Sequence, residues 1–468
     1  MENRNKPGRP WRRLIGTKQF YKKLLLLAVP IMIQNAITNF VGFLDNIMVG
    51  QLGTEPMSGV AIVNQLIFVF NLLVFGGLSG AGIFGAQFYG HGDHEGVRDT
   101  FRFKIIFGMA IAVVAFAVLL ASGESLIRLY LTNGESGNLR ETFLYGKEYL
   151  MVILLEIIPF VVVQIYASTL RETGQTMLPM FAGIIAVFVN LAGNYVLIFG
   201  KFGAPRMGVA GAAAATVLAR VVECAVVIIW THVNKEKNQF ITGAYRSLRV
   251  PKKLALDIIK KGSPLFVNEA LWSAGIALVN QCFSMRGFTV VAATNISSTI
   301  GNLFNVVFIA MGSAVAIMAG QQLGASEFDK AKDTAAKVIA FSVCCTLFTS
   351  LLMILLSGAF PGLYNTSVEV RGMAGSMIRI TAYLMPMQAF LHAAYFTIRS
   401  GGRTVITFLF DSGFSWCVAI PFIYCIVHFT GLPILVVYTL YYSLDFIKAV
   451  VGYVLLKKGI WLQNIVAA

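Results

Sequence analysis

Apolar residues follow one another in twelve long runs, which are separated by glycine, proline and clusters of charge. A run of roughly 20 apolar residues is long enough to cross a bilayer as an α-helix. The polar–apolar alternation typical of membrane β-barrel strands does not occur in these runs. The pattern therefore predicts an all-α polytopic membrane protein with twelve transmembrane helices, near residues 24–49, 57–87, 101–121, 142–166, 177–199, 208–231, 255–283, 289–320, 334–357, 370–398, 404–428 and 433–456.

The composition supports this prediction. Of the 468 residues, 57% are hydrophobic and 13% are charged, whereas soluble domains carry about 25% charged residues. An ordinary soluble enzyme is thereby excluded.

The basic residues lie mainly on one side of the predicted helices. Lys and Arg outnumber Asp and Glu by 37 to 22, and 27 of the basic residues fall in alternate loops and both termini, against 6 in the opposite loops. Because loops rich in Lys and Arg stay on the cytoplasmic side, we expect a multi-pass plasma-membrane protein with both termini in the cytoplasm. This distribution also argues against nucleic-acid binding, and the run after residues 1–23 is too long for a removed signal peptide.

An internal repeat relates the two halves of the chain. Gly85–Thr100 aligns with Ala319–Thr334 at an offset of 234 residues, and the same offset pairs Pro30 with Pro264. A related offset pairs Arg171, Gly174 and Thr176 with Arg399, Gly402 and Thr404. We therefore predict two six-helix lobes related by a parallel repeat.

The predicted organisation has five parts. A basic cytoplasmic segment covers residues 1–23, an N-lobe residues 24–231, a cytoplasmic linker residues 232–253, a C-lobe residues 254–457 and a tail residues 458–468.

An ionisable group inside a span costs at least about 2.5 kcal/mol unless it is paired. Among the acidic residues within the predicted spans, six stand out as ion pairs or candidate functional groups. Two have a base at helical spacing: Glu223 with Arg220, and Asp445 with Lys448. A structural ion pair accounts for these two. The other four, which have no local base, are candidates for function: Asp45, Glu156, Glu269 and Asp411.

Asp45 has the most polar surroundings. Gln34, Thr38 and Asp45 share one face of the first helix, and Asn190 and Asn194 share one face of the fifth. Carboxylate and amide oxygens suit a hard cation such as Na⁺, and a carboxylate among amides also suits proton coupling. A polar patch that holds helices together is the alternative.

A second acidic region occurs in the seventh helix. Glu269 follows Asn268, and Asn280 lies three helical turns further on. We interpret these residues, together with Asp411, as a second acid site or a substrate site.

Other motifs are not informative about catalysis. His91 and His94 lie in a polar loop, and the six cysteines lie in apolar runs without CxxC spacing. No phosphate-binding loop, serine-hydrolase elbow or zinc spacing occurs. We therefore expect neither an enzyme nor a bound cofactor.

Several stretches resemble the multidrug and toxic compound extrusion (MATE) transporters. They are PIMIQNAITNFVGFLDNIMVGQLG, GAQFYGHGD, RETGQTMLPM, NLAGNYVLIFG, GVAGAAAATVLAR and SPLFVNEALWSAG. The resemblance implies two six-helix bundles that export small organic cations in exchange for Na⁺ or H⁺.

The resemblance also implies roles for particular residues. Asp45 takes the place of a central first-helix acid, Asn190 that of a fifth-helix amide, and Thr216 that of a sixth-helix hydroxyl. Asn194 stands where some members carry an acid. Glu269 lies in the region of a seventh-helix acid.

A flippase for a lipid-linked saccharide is the alternative function. Its cavity should be strongly cationic in order to hold pyrophosphate. A receptor or channel is a weaker third possibility. We expect the protein to work as a monomer in membrane lipid, with the coupling ion and organic cations as its partners.

Overall fold

The computed structural model describes residues 14–131 and 138–467, apart from the side chain of Phe43. Within these residues there is no β-strand, which confirms the all-α prediction. Residues 1–13 of the predicted basic segment lie outside the described part. The α-helices are α1 (Lys18–Gly50), α2 (Thr54–His91), α3 (His94–Leu131), α4 (Leu139–Ile153), α5 (Ile157–Glu172), α6 (Met177–Phe199), α7 (Gly208–Val233), α8 (Lys252–Ser284), α9 (Phe288–Gly324), α10 (Phe328–Leu356), α11 (Val368–Ser400), α12 (Thr404–Phe408), α13 (Ile420–Phe429), α14 (Ile434–Ser443) and α15 (Asp445–Lys458).

Ten helical segments of the described chain are long and apolar enough to cross a membrane. Some combine two neighbouring helices, as in Leu139–Glu172 and Ile434–Lys458. To within one residue, every predicted apolar run lies in a helical segment of this kind or in α8 or α11, which are not among the ten. The exact count of twelve spans therefore stays a prediction.

The predicted repeat recurs in the helix boundaries. Three helices of the first half and three of the second begin 234 residues apart: α1 at Lys18 and α8 at Lys252, α2 at Thr54 and α9 at Phe288, α3 at His94 and α10 at Phe328. Pro30 and Pro264 lie inside the paired helices α1 and α8.

The second offset also has a structural counterpart. Helix α5 ends at Glu172 and α11 ends at Ser400, and each is followed by a glycine with a positive φ. The φ angles are 83° at Gly174 and 73° at Gly402. Residues that carry a side chain rarely adopt a positive φ, so a glycine follows the end of both helices.

Two helical segments change geometry along their length. A 3₁₀ turn at Leu154–Glu156 joins α4 to α5, just before Pro159, which cannot donate a backbone hydrogen bond. Between α12 and α13 the chain is π-helical at Leu409–Gly413 and Ser415–Ala419. Such π-helical turns are rare and occur often at functional sites.

By internal contacts the chain forms two compact units. Among the described residues, one unit contains residues 14–32, Ala86–Gly92 and residues 267–467. The other contains Ile33–Gly85 and the described part of Asp93–Phe266. We call them the C-terminal unit and the N-terminal unit. Both α1 and α2 run from one unit into the other, which the predicted lobe boundaries did not include.

Within the C-terminal unit the two copies of the repeat motif contact each other reciprocally. A Cβ built on Gly90 would lie 1.8 Å from the carbonyl oxygen of Gln321, and one built on Gly324 would lie 1.9 Å from that of Gln87. The C-terminal tail packs beside this contact, because the Gln87 carboxamide donates to the Gln463 carbonyl at 3.2 Å and accepts from the backbone N–H of Ile465 at 2.8 Å. It also donates to the Ser400 carbonyl at 2.9 Å.

The predicted linker is packed on the N-terminal unit. Phe240 is buried and its ring contacts that of Phe101 of α3. The Arg102 guanidinium donates to the carbonyl oxygens of Gly243 and Ala244, at 2.9 and 3.0 Å. The segment is therefore held as a structured part of this unit.

Candidate functional site

The four residues predicted to bind an ion form one chain of hydrogen bonds in the N-terminal unit. The Asn194 carboxamide donates to the Asp45 carboxylate at 2.5 Å and to Oδ1 of Asn190 at 3.2 Å. The Asn190 carboxamide in turn donates to Oγ1 of Thr216 at 3.2 Å. Side chains from α1, α6 and α7 therefore converge at one polar site.

Small residues explain why α6 and α7 approach closely enough to make these contacts. A Cβ on Gly193 would lie 2.9 Å from that of Ala215, and one on Gly211 would lie 2.6 Å from the carbonyl oxygen of Leu197. Small residues at helix interfaces allow close backbone approach in membranes. The motif GVAGAAAAT in α7 thereby brings Thr216 within hydrogen-bond reach of Asn190.

One acceptor in this site has no partner among the described residues. Asn194 is fully buried, and its Oδ1 makes no hydrogen bond although its Nδ2 makes two. A buried acceptor without a partner costs about 1–3 kcal/mol. Beside the Asp45 carboxylate, this oxygen is suited to ligate a cation or to accept from a protonated group.

An ion-pair cluster lies beside Asp45. The Arg220 guanidinium contacts Glu156 at 2.9 Å and Glu223 at 2.7 Å. The pair of Glu223 with Arg220 is as predicted, whereas Glu156, which has no base on its own helix, obtains the same arginine from α7. Glu156 and Arg220 are charged neighbours of Asp45, and Arg171 is a further charged neighbour of Glu223. The three acids therefore outnumber the two bases when all are ionised.

Two further residues predicted near Asp45 are directed elsewhere. Oε1 of Gln34 accepts a hydrogen bond from Arg171 at 3.2 Å. Thr38 is exposed and donates to the backbone carbonyl of Gln34 at 2.9 Å. In the described structure neither side chain is hydrogen-bonded to Asp45, although all three lie on α1.

The C-terminal unit holds a second polar cluster around Asn268 of α8. Its carboxamide donates to Asp411 at 3.2 Å and to the Tyr395 hydroxyl at 3.4 Å. Its Oδ1 accepts from the hydroxyl of Ser412 at 2.7 Å and from the backbone N–H of that residue at 3.3 Å. The buried amide therefore ties α8 to α11 and to the first π-helical segment.

The predicted pairing of Asp445 with Lys448 is correct only in part: the two are charged neighbours, but their direct contacts are with other residues. The Lys448 ammonium lies 3.1 Å from Oδ1 of Asp411, and Asp445 instead accepts from the Gln388 carboxamide at 2.5 Å. Helical spacing places two side chains on one face but does not reveal a partner on a neighbouring helix. Asp411, predicted to lack a base, is therefore paired.

The other members of the predicted second site are more dispersed. Glu269 is half-buried, and its charged neighbours are Arg399 and Asp411. Asn280 is exposed and lies three turns further along α8. The structure therefore groups Asn268, Asp411 and Glu269 but leaves Asn280 outside the cluster.

Sequence reasoning missed a buried ion pair in the N-terminal unit. Lys104, which stands near the start of the predicted span 101–121, lies inside α3 with no exposed surface, and Nζ is 2.6 Å from Oε1 of Glu172. Nζ also contacts the hydroxyls of Ser168 and Thr169 at 3.1 Å each. The sequence feature that indicates this buried pair is the position of the lysine within the apolar stretch FRFKIIFG.

His91 contacts the second copy of the repeat motif. His91 contacts the carbonyl oxygen of Gly324 at 3.2 Å through Nδ1. No group of three or more potential metal ligands occurs among the described His, Cys, Asp and Glu residues. All six cysteines are free.

A sequence model of the MatE family matches the chain twice, at residues 30–196 and 264–425. The chain belongs to the MatE family. The two matches begin at Pro30 and Pro264, the prolines that the repeat pairs, so the MatE comparison supports the internal repeat and confirms the resemblance found in the sequence.

Relatives of known sequence cover most of the chain. The probable multidrug resistance protein YoeA of Bacillus subtilis is 26% identical over 434 residues, which are 90% of both chains. The multidrug resistance protein PmpM of Pseudomonas aeruginosa is 25% identical over 420 residues, which are 89% of this chain and 86% of that protein.

Solved structures share the fold. The outward-facing conformation of a multidrug resistance MATE family transporter superimposes with a TM-score of 0.84 at 20% identity, over 96% of this chain and 98% of that chain. A transporter from Pyrococcus furiosus, described as having a binding pocket of reverse polarity that suggests a different function, has a TM-score of 0.83 at 20% identity, over 96% of this chain and 97% of that chain. The fold alone therefore does not decide the substrate, and the charges of the site must do so.

Proposed function

We propose that the chain is a secondary active multidrug antiporter of the plasma membrane, which exports organic cations in exchange for Na⁺ or H⁺. It crosses the membrane twelve times with both termini in the cytoplasm, and two lobes alternate access to the substrate. The observation that carries the coupling part of the proposal is the contact between Asp45 and Asn194, with the unpartnered Oδ1 of Asn194 beside it.

The hydrogen-bond chain supports an ion site at Asp45. A Na⁺ ion prefers carboxylate, carbonyl and hydroxyl oxygens, and Asp45, Asn190, Asn194 and Thr216 offer all of these within one connected network. If Asp45 were protonated instead, its O–H group could donate a hydrogen bond to the unpartnered Oδ1 of Asn194. Either ion neutralises part of the excess negative charge of the cluster.

Competition at this carboxylate would couple the two fluxes. If the Asp45 carboxylate binds either the ion or the cationic drug, but not both stably, binding of one species drives release of the other. One charge that falls through 100 mV supplies about 2.3 kcal/mol, which supports roughly 50-fold accumulation of a neutral substrate. Exchange of one monovalent drug for one such ion is electrically neutral, so stoichiometry decides the driving force.

The charges of the helices favour an antiporter over a flippase for a lipid-linked saccharide. A flippase cavity requires free positive charge for pyrophosphate. In the described structure Lys104, Arg220 and Lys448, which lie within helices, are each paired with a carboxylate. Around Asp45 the acids Asp45, Glu156 and Glu223 outnumber the bases Arg171 and Arg220, which suits cations.

Transport by the purified protein in vesicles tests the proposal. A Na⁺ gradient and a pH gradient are imposed in separate experiments. We expect one of the two gradients to accelerate efflux of a fluorescent organic cation, and efflux to collapse when that gradient is removed. Efflux that responds to neither gradient would contradict antiport. Transport of a pyrophosphate-linked lipid instead of the cation would favour the flippase.

A further inference from the structure

The Lys448 ammonium occupies a cage of a kind that binds organic cations. Besides its 3.1 Å contact with Oδ1 of Asp411, Nζ lies 5.5 Å from the ring centroid of Phe410 and 5.9 Å from that of Phe414. A carboxylate together with aromatic faces within about 6 Å is an arrangement that recognises ammonium ligands. Here the ligand is a side chain of the protein itself.

The local backbone creates this cage. Asp411 and Phe410 belong to the π-helical segment Leu409–Gly413, and Phe414 follows it directly. A π-helical turn is a distortion of an α-helix that is retained mainly where it positions functional groups. The lysine comes from α15, which is a separate helix, so its ammonium can leave without unfolding the π-helical segment.

The second oxygen of the carboxylate is fixed independently of the lysine. Oδ2 of Asp411 accepts from the buried Asn268, whose own oxygen is held by Ser412. The carboxylate therefore keeps its orientation when Oδ1 changes partner. Asp411 and Lys448 each keep part of their side chain exposed, 23% and 13%, so a ligand can reach the pair.

We propose that Asp411, Phe410 and Phe414 form a binding subsite for a monovalent organic cation, and that Lys448 fills it as a tethered competitor when no substrate is bound. The inference rests on the proposed export of organic cations and names the residues that recognise the positive charge in the C-terminal unit. An incoming cation replaces the ammonium at Oδ1 and over the two rings. Oδ1 of Asp411 keeps a cationic partner only while lysine or substrate is in place.

Binding of tetraphenylphosphonium to the purified full-length protein at pH 8, without any ion gradient, tests the proposal. Lys448→Met removes the competitor but keeps an apolar stem, and we expect the dissociation constant to fall about tenfold, as loss of a charged hydrogen bond and a cation–π contact implies. Lys448→Arg, which keeps a cation, is the matched control and should bind as the wild type does. In Lys448→Met with Asp411→Asn the gain should vanish. A Lys448→Met protein that binds no more tightly than wild type, or a double variant that keeps the gain, overturns the proposal.

A second measurement does not depend on the folding of any variant. In the wild type, reductive methylation of Lys448, followed by mass spectrometry, should become faster at saturating tetraphenylphosphonium because the amine is displaced. The exposed Lys330 is the internal reference. An unchanged or slower methylation rate at Lys448 contradicts displacement.

Repeating the binding series in an Asp45→Asn background separates this proposal from ion coupling. The tighter binding caused by Lys448→Met should persist in that background, whether or not Asp45 has a role in transport.

Discussion

Gly324 lies so close to Gln87 that a Cβ on the glycine would be 1.9 Å from the Gln87 carbonyl oxygen, and the equivalent residues of the repeat, Gly90 and Gln321, reproduce this contact in the opposite sense. Two copies of one motif therefore pack backbone against backbone, and only glycine fits at the two contact positions. This reciprocity explains why both copies of the motif carry glycine at this position.

We expect Gly324→Ala to destabilise the protein by at least about 2 kcal/mol, because overpacking against a backbone carbonyl cannot be relieved by a side-chain rotation. Gly301 lies on the same helix, and a Cβ added there would meet no atom within 4 Å. Gly301→Ala is therefore the control and should leave the thermal unfolding midpoint unchanged or raise it. Equal midpoints for the two variants would show that the close contact is absent in the membrane.

The buried pair of Lys104 and Glu172 should matter far more than a surface pair. Lys104→Met leaves a buried carboxylate without its partner, and we expect a loss of about 3–5 kcal/mol in the free energy of unfolding. Lys330→Met breaks the exposed contact with Glu327 and should have little effect. Thermal unfolding in one detergent compares the two. Similar losses in both variants would contradict the assigned burial.

The sequence predicted the helices better than the side-chain contacts between them. The 234-residue offset found in the sequence also relates the helix starts at Lys18 and Lys252, although the predicted spans began later, at residues 24 and 255. The fifth-helix amides were found from their four-residue spacing. The Asp411–Lys448 pair was missed, since its members are 37 residues apart and only the packing of separate helices brings them together.

The topology can be tested at Lys237 in the predicted cytoplasmic linker. In a variant without the native cysteines, Lys237→Cys should react with a membrane-impermeant maleimide only after the cells are opened, because the basic loops are expected inside. A cysteine at Lys201, in a loop predicted on the opposite side, is the control and should react in intact cells. Labelling of Lys237→Cys from outside would overturn the twelve-span topology.

The two units should contribute differently to transport. Asn190→Ala removes one amide of the Asp45 network, and we expect it to raise the ion concentration needed for half-maximal efflux with a smaller effect on drug affinity. Glu269→Gln should do the reverse, weakening drug transport while ion-dependent protection of the N-terminal unit from proteolysis survives. Ion titrations of both variants check this. If only Glu269→Gln shifted the ion dependence, the roles of the two units would have to be exchanged.

Efflux by Asp45→Asn in vesicles, driven by an imposed ion gradient and compared at equal protein abundance, tests the central claim most directly. Asparagine keeps the size of the side chain and can still bond to Asn194, but it lacks the charge that an ion neutralises. We predict that gradient-driven efflux is lost while the unfolding midpoint stays close to that of the wild type. Asp329→Asn, which makes the same change at an exposed acid of α10, should transport normally. Wild-type efflux by Asp45→Asn would contradict the assignment of the coupling site.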